Sequence, residues 1–365
     1  MLQKIDLRKL AERQCPERAF VSLYLSSPES MRKIDDRAER VRNFLRDRPE
    51  ELENFEQSLA LIERSLESHD FDSEGLAVFA SYALDFFEGY PLDVSPPDLV
   101  RVGDCPYIRP LAELQEEYET FVVVAADNDA ARVFLVADGK PSEEEAVRGD
   151  VKNRVKVGGW SQKRYQRRRD NELLHYAKEV GEAVARLDEE VDFSRVVLLG
   201  SQEALREIRQ QLPNSVAEKV VAEEKVSVNG GEELLMETAF RLFFERERQE
   251  ETDLWTRIRG DALAHDLAAV GAAEVWTALQ EGRVDTIAVI RDATLPGVHC
   301  RECDNVMPGE PAACRYCESN GDNLFRLDLV EKLIEQAQLT GASVDFVDPI
   351  EGLERAGNVA ALLRY

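Results

Sequence analysis

Apolar residues along this 365-residue chain fall into short runs with two distinct periods. Residues 20–25 form a nearly continuous apolar stretch, which predicts one buried strand. Leu52, Phe55, Leu59, Ile62 and Leu66 then recur at three and four residues. That spacing lays a single apolar stripe along a helix, in a helical region interrupted at Pro49. Residues 76–79 and 84–87 predict two more strands. Pro96-Pro97 and Pro106 mark an irregular stretch, and 110–117 reads as a link. A first boundary is therefore expected at 117.

A second unit opens on the apolar run 121–126. Asn128-Asp129 supplies a turn signal, and 133–136 returns as a strand. Residues 139–157 read as a polar loop. Leu173, Ala177, Val180, Val184 and Leu187 again keep helical spacing, followed by a strand at 196–199 and a helix from Glu203. The charged segment 245–251 belongs to a long helix leading into a third unit. There, a helix at 273–280 ends at Gly282 as its cap, with strands at 286–290 and 343–347 and a helix at 329–339. Alternating strands and helices predict an α/β multidomain protein with boundaries at 1–117, 118–250 and 251–365.

Charge changes the picture in one place. Acidic residues outnumber basic ones by 72 to 46, a net charge of −26. Such a surface repels nucleic acid and anionic membranes on average. Yet residues 152–169 hold eight cations and no acid: Lys152, Arg154, Lys156, Lys163, Arg164, Arg167, Arg168 and Arg169. On charge alone that is a solvated helix face or a phosphate-binding run. Gly158-Gly159 adds a backbone free to take positive φ, Ser161 is a candidate N-cap, and Trp160 offers a stacking ring. No apolar run is long enough for a membrane span or a leader, so a cytoplasmic protein is expected.

Four of the six cysteines form Cys300-x2-Cys303-x10-Cys314-x2-Cys317. Two Cys-x-x-Cys knuckles supply the sulfur cage that structural zinc prefers, and in a reducing compartment zinc is a better reading than two disulfides. With four protein ligands the site has no open position, and His299 beside it is not counted. Two weaker constellations are set aside. Gly200-Ser201-Gln202 is ordinary strand–turn–helix punctuation, and nothing in the spacing of Asp127, Asp129 and Asp138 demands a divalent ion.

The stretch 158–167, Gly-Gly-Trp-Ser-Gln-Lys-Arg-Tyr-Gln-Arg, resembles the signature loop of the class I translation release factors of archaea and eukaryotes. Their motif reads Gly-Gly-Gln-Ser-Ala-x-Arg-Phe-x-Arg and precedes a long helix. Residues 197–201, Asn229-Gly230-Gly231-Glu232, 274–290 and the ending 341–365 are similar to later parts of the same family, so the resemblance is strong from about 119 onward. It implies a ribonuclease-H-like middle domain and a last domain like the kink-turn-binding ribosomal proteins, with the zinc insertion at 295–322. Relatives such as Pelota enter the ribosomal A site and face peptidyl-tRNA, in some cases with a translational GTPase.

The family's Gly-Gly pair falls on Gly158 and Gly159, Gln162 is the nearby amide that could take the catalytic part, and the acid-free run is expected to contact RNA through Lys156, Trp160, Lys163, Arg164, Arg167 and Arg168. Two departures bear on function. Trp160 stands where the family has glutamine, with Gln162 two residues on. The Asn-Ile-Lys-Ser motif of stop-codon reading is absent; Ser30-Met31-Arg32-Lys33-Ile34 stands in that region. The implied function is release of peptide from stalled ribosomes without codon decoding. The alternative is Pelota-like occupation of the ribosome, or of another RNA, without chemistry.

Overall fold

The computed structural model describes all residues except 1, 16, 28–29, 31–33, 68–72, 129, 149–159, 229–230 and 265, and leaves out the side chains of 143, 145, 148, 160–170 and 322. The chain is mixed α/β and divides into two compact units. The first joins Met1–Glu117 to Glu250–Tyr365; the second is Tyr118–Gln249. The segments expected as separate first and third domains thus lie in one unit, each keeping its own sheet.

The first segment runs α1 (Leu7–Ala11), β1 (Phe20–Leu25), α2 (Ile34–Leu45), α3 (Pro49–Glu67), β2 (Gly75–Ser81), β3 (Phe86–Leu92), β4 (Leu99–Gly103) and α4 (Arg109–Glu117). The strands form one antiparallel sheet in the order β3-β2-β1-β4. The stripe anticipated on α3 is what packs on it: Phe55, Leu59, Ile62 and Leu66 are buried against Val21, Leu23 and Val78. Three expectations need correction. Residues 84–85 lie in a turn and the strand runs on to Leu92. A strand, β4, sits inside the proline-marked stretch. The expected link at 110–117 is helix α4, with Leu111, Ala112 and Leu114 buried.

The second unit runs β5 (Phe121–Ala126), β6 (Ala130–Ala137), β7 (Lys140–Arg148), α5 (Trp160–Glu190), β8 (Arg195–Gly200), α6 (Gln202–Gln211), α7 (Asn214–Ala217) and β9 (Val220–Lys225), and enters α8 (Glu232–Ala264). Its sheet has the order β7-β6-β5-β8-β9, with β5, β8 and β9 parallel and β6 and β7 antiparallel to their neighbours. Alternate residues of β5 face opposite sides, so a strand buried on both faces reads as a continuous apolar run. Val122 and Val124 meet Ala177, Val180 and Val184 of α5, while Phe121 and Val123 meet Leu235, Ala239 and Phe243 of α8. The result is a three-layer α/β/α sandwich.

The polar loop expected at 139–157 is in part strand β7. Asp138 and Gly139 both take positive φ, 51° and 73°, and Ala137 pairs with Lys140. That is the geometry of a two-residue type I′ hairpin, and Asp-Gly is its usual sequence. Asp138 is a turn residue, not a metal ligand. Ser201 caps α6, accepting from the Ala204 N–H at 3.4 Å, as its punctuating role requires.

The rest of the first unit holds β10 (Ala268–Val270), α9 (Ala272–Gln280), β11 (Val284–Ile290), β12 (Pro296–Cys300), β13 (Asn305–Pro308), β14 (Leu324–Asp328), α10 (Leu329–Thr340), β15 (Ser343–Val347), α11 (Glu351–Arg355) and β16 (Val359–Leu363). One sheet has the order β10-β16-β11-β15. A separate ribbon has the order β13-β12-β14, so the cysteine insertion extends beyond 322 to Asp328. Gly282 follows α9 at φ 69°, its N–H on the Leu279 carbonyl, as the cap reading anticipates. Among the described residues no helix is long and apolar enough to cross a membrane.

Gly200 is the tightest point of the second unit. Its φ is 142°, and a Cβ there would lie 1.7 Å from the Ala126 carbonyl oxygen on β5. Gly200→Ala must push two parallel core strands apart, so the expected cost is about 3 kcal/mol or more. Urea unfolding measures it; a midpoint equal to wild type refutes the close approach.

Candidate functional site

The four cysteines come together. Cys300 ends β12, Cys303 lies in the turn before β13, and Cys314 and Cys317 flank a second turn before β14. All four sulfurs lie within 4.8 Å of one another, with Cys300–Cys317 and Cys303–Cys314 at 3.5 Å. A disulfide needs about 2.05 Å, so these are free thiols. A tetrahedron with metal–sulfur bonds of about 2.3 Å has edges of about 3.8 Å, which this cage brackets. The donor set therefore fits a metal ion. Among the described residues this is the group that can hold one; Asp127 and Asp138 join no such cluster, and Asp129 lies outside the described residues.

Both knuckles use the same backbone device. The residue after each second cysteine, Asp304 or Glu318, takes a left-handed φ of 58° or 62°. Its N–H returns to the first cysteine's carbonyl, at 2.8 Å to Cys300 and 3.0 Å to Cys314. This closes a tight turn that aims both sulfurs inward. The Tyr316 N–H points at Cys314 Sγ, at 3.4 Å. Hydrogen bonding with the Ser319 hydroxyl holds the Cys317 thiol down to about 6, and burial pushes Cys300 up to about 12. His299 points away from the cage to Asp304 Oδ1, at 2.7 Å, consistent with leaving it out of the ligand set. No local pattern marks Ser319 in advance. The left-handed positions were equally hidden, because acidic residues stand where glycine is the usual signal.

The second candidate, the basic run, is placed only in part. Lys152, Arg154, Lys156, Gly158 and Gly159 lie outside the described residues. Trp160, Gln162, Lys163, Arg164, Arg167 and Arg168 belong to the backbone of α5, which starts at Trp160 and runs 31 residues. Ser161 therefore sits inside the first turn and not at the N-cap. Gln162 is also helical. In the first segment Ser30 is buried, with Ser26 and Ser27 hydroxyls at 3.0 and 3.2 Å, and Met31, Arg32 and Lys33 lie outside the described residues.

Residues 106–241 match the family described as bacterial archaeo-eukaryotic release factor family 10. The chain is 24% identical over 308 residues to the peptide chain release factor subunit 1 of Thermococcus onnurineus, covering 74% of each. It is 26% identical over 374 residues to an uncharacterised protein of Mycobacterium tuberculosis, covering 96% of this chain and 94% of the relative. Two solved structures align at low scores. A Saccharomyces cerevisiae translation termination-like factor of RNA quality control has TM-score 0.43 and 14% identity, over 80% of this chain and 79% of that one. Archaeoglobus fulgidus Pelota has TM-score 0.31 and 13% identity, over 100% and 92%.

The left-handed residue of the second knuckle gives a direct check. Glu318 bears the steric cost of that conformation, which glycine escapes and a β-branched residue suffers most. Thermal stability of the ribbon should rank Glu318→Gly at or above wild type, and Glu318→Val about 1 kcal/mol below it. A valine variant as stable as the glycine variant refutes the turn.

Proposed function

Because the chain belongs to the superfamily of archaeal- and eukaryotic-type class I release factors, we propose that it is a cytoplasmic, ribosome-associated rescue or surveillance factor that acts without decoding a stop codon. The observation that carries this reading is the acid-free basic run around Gly158-Gly159, set directly before the long helix α5 in a chain of net charge −26. Lys156, Lys163, Arg164, Arg167 and Arg168 are its phosphate contacts, with Trp160 stacking on a base. The substrate is peptidyl-tRNA in a stalled ribosome, and a translational GTPase is a fitting recruiter. The strand order β7-β6-β5-β8-β9 with only β6 and β7 antiparallel supports a ribonuclease-H-like middle domain. We read the sheet β10-β16-β11-β15 as the kink-turn-binding type of domain.

The loop has two chemical versions. Peptide release needs a water held on the ester carbonyl and donors for the oxyanion. Gly158 and Gly159 would let the loop approach, and Gln162 would have to place the water. A specific observation favours the second version, ribosome occupation without hydrolysis. The indole of Trp160 donates but cannot accept, and Gln162 is held in a helical turn two residues beyond the family's position.

Co-sedimentation and peptide release on purified stalled complexes test both versions. Arg164, Arg167 and Arg168 changed together to Glu should abolish binding, with the salt slope falling by about one unit per lost phosphate contact. Unchanged binding means the run is only a solvated face. Wild type that binds and releases nothing supports occupation without chemistry. Release that Gln162→Ala and Gly159→Ala both abolish supports the hydrolase.

We assign zinc to the cage of Cys300, Cys303, Cys314 and Cys317, in a structural role, since no ligand position is left for substrate. Its binding energy becomes folding energy of the ribbon. Elemental analysis of protein purified without added metal should find one zinc per chain. Chelation should raise hydrogen exchange across 295–322 and leave the second unit protected. Protein that lacks zinc with the ribbon still protected refutes the assignment.

A further inference from the structure

A cavity of about 500 Å3 opens in the first unit, walled by α2, β4 and the ribbon. Arg18, Arg37, Arg40 and Arg301 line it together with Phe44 and Phe325. Beside it lies Glu51 of α3, itself buried, and three guanidiniums converge on that one carboxylate. Arg18 is at 3.5 Å, Arg48 at 3.6 Å, and Arg301 forms the third ion pair. The same three stack about the ring of Phe325, at 4.6, 4.5 and 4.2 Å from its centre. Burial, and then the crowding of Arg48 and Arg301, pulls Arg18 below its ordinary value. Arg48 Nη1 is buried and has no hydrogen-bond partner among the described residues.

The charge balance here is unusual for so acidic a chain. Other cations around the cavity are matched: Arg101 by Glu331, Lys332 by Asp104 and Glu335, Arg326 by Glu310. Three arginines on one carboxylate leave two charges over. Arg37 and Arg40 form no ion pair with a described residue and add two more, which the second carboxylate on Lys332 reduces to a surplus of three. A purely structural hub accounts for Arg18, Arg48 and Arg301, because they tie the ribbon to α3. It does not account for a void faced by Arg37 and Arg40, nor for the 56% of Phe44 left exposed at its edge.

We propose that this cavity binds a free nucleoside di- or triphosphate. The phosphate chain carries three to four negative charges, matching the surplus, and guanidinium forks suit phosphate oxygens. Phe44 carries Arg18 and Arg48 at 5.0 and 5.7 Å from its ring centre and offers the part of the ring that stays exposed to the base. The volume lies within the range of about 300–1,000 Å3 for small-ligand sites. An RNA strand bears one charge per nucleotide, so a cavity of this size would receive only one or two of its phosphates. The assignment stands apart from the ribosomal reading and fails or survives independently of it.

Calorimetry on the full-length protein with GTP, ATP, inorganic tripolyphosphate and a single-stranded RNA hexamer tests it. One nucleoside triphosphate should bind per chain. Arg37→Ala with Arg40→Ala, both on the outer face of α2, should weaken it at least about tenfold without changing the circular dichroism. Phe44→Ala should weaken the nucleotides and leave tripolyphosphate unchanged. Two results overturn the proposal: no nucleotide binding at about 1 mM, or nucleotide binding untouched by the double arginine variant; hexamer binding that survives that variant belongs to another surface.

Discussion

The ribbon β13-β12-β14 gathers four sulfur atoms where it has little else to hold it. Its own core is Val298, Cys300, Met307 and Cys314, with Leu324 half-buried beside them, far too little apolar surface for an independent fold. Two of those four core residues are the ligands themselves. Much of the first unit leans on this ribbon. The Trp276 indole of α9 donates to the Val306 carbonyl at 3.1 Å. Arg109 of α4 reaches Asp328 at 2.8 Å, and the other oxygen of Asp328 caps α10 and accepts from Leu295. Arg301, inside the first knuckle, meets Glu51 on α3. A closed cage therefore does more than brace a hairpin: it fixes Arg301 and, through β14, Phe325 beside the arginine cavity.

Electrostatics organises the chain in an equally uneven way. Most of the acid is spread over solvated helix faces, where exposed pairs such as Arg8–Glu12 contribute little. Among the described residues the first unit holds a cluster of buried ion pairs. Lys332 sits between Asp104 and Glu335 at 2.7 and 2.8 Å, and Cys105 donates to Glu335 at 2.8 Å. Burial and the carboxylate beside it push the Cys105 thiol well up, which makes it an inert packing group. Positive charge collects in two places, the run 152–169 and the arginine cavity. Both are local exceptions to a repulsive average, and phosphate is the ligand chemistry that each one suits.

What the sequence made legible follows from where the information is local. The two-faced strand β5, the stripe on α5, the cap at Gly282 and the paired cysteines are each written within a few residues. Strand β7 was not legible, because as an edge strand it carries Lys140, Glu143, Glu144 and Glu145 in place of an apolar pattern. Charge on an edge is a defence against unwanted pairing, so its polarity is a property of strands that sequence periodicity cannot see. The Asp138-Gly139 turn was the available signal. Helix α4 was hidden by Pro110, which is tolerated in a helix's first turn. The arginine cavity was invisible for a different reason. Arg18, Glu51, Arg301 and Phe325 stand up to 307 residues apart (325 − 18) and meet only through the union of the chain's two ends.

The start of α5 links this architecture to chemistry. A helix leaves its first four N–H groups without intrahelical acceptors, and its dipole makes that end partially positive. The first described residues of α5 are Trp160, Ser161, Gln162 and Lys163, with Arg164, Arg167 and Arg168 on the turns that follow. Such an end is built to hold anionic oxygen. Activating water for attack on an ester asks for something else, an acceptor next to a donor on a backbone free to change its path. Trp160 removes that acceptor, and helical hydrogen bonding limits the movement of Gln162. On the proposed reading, the features shared with the family would grip a phosphate backbone, and the altered one is the side chain that would do the chemistry. On that reading, binding a phosphate backbone asks less of this loop than hydrolysing an ester does.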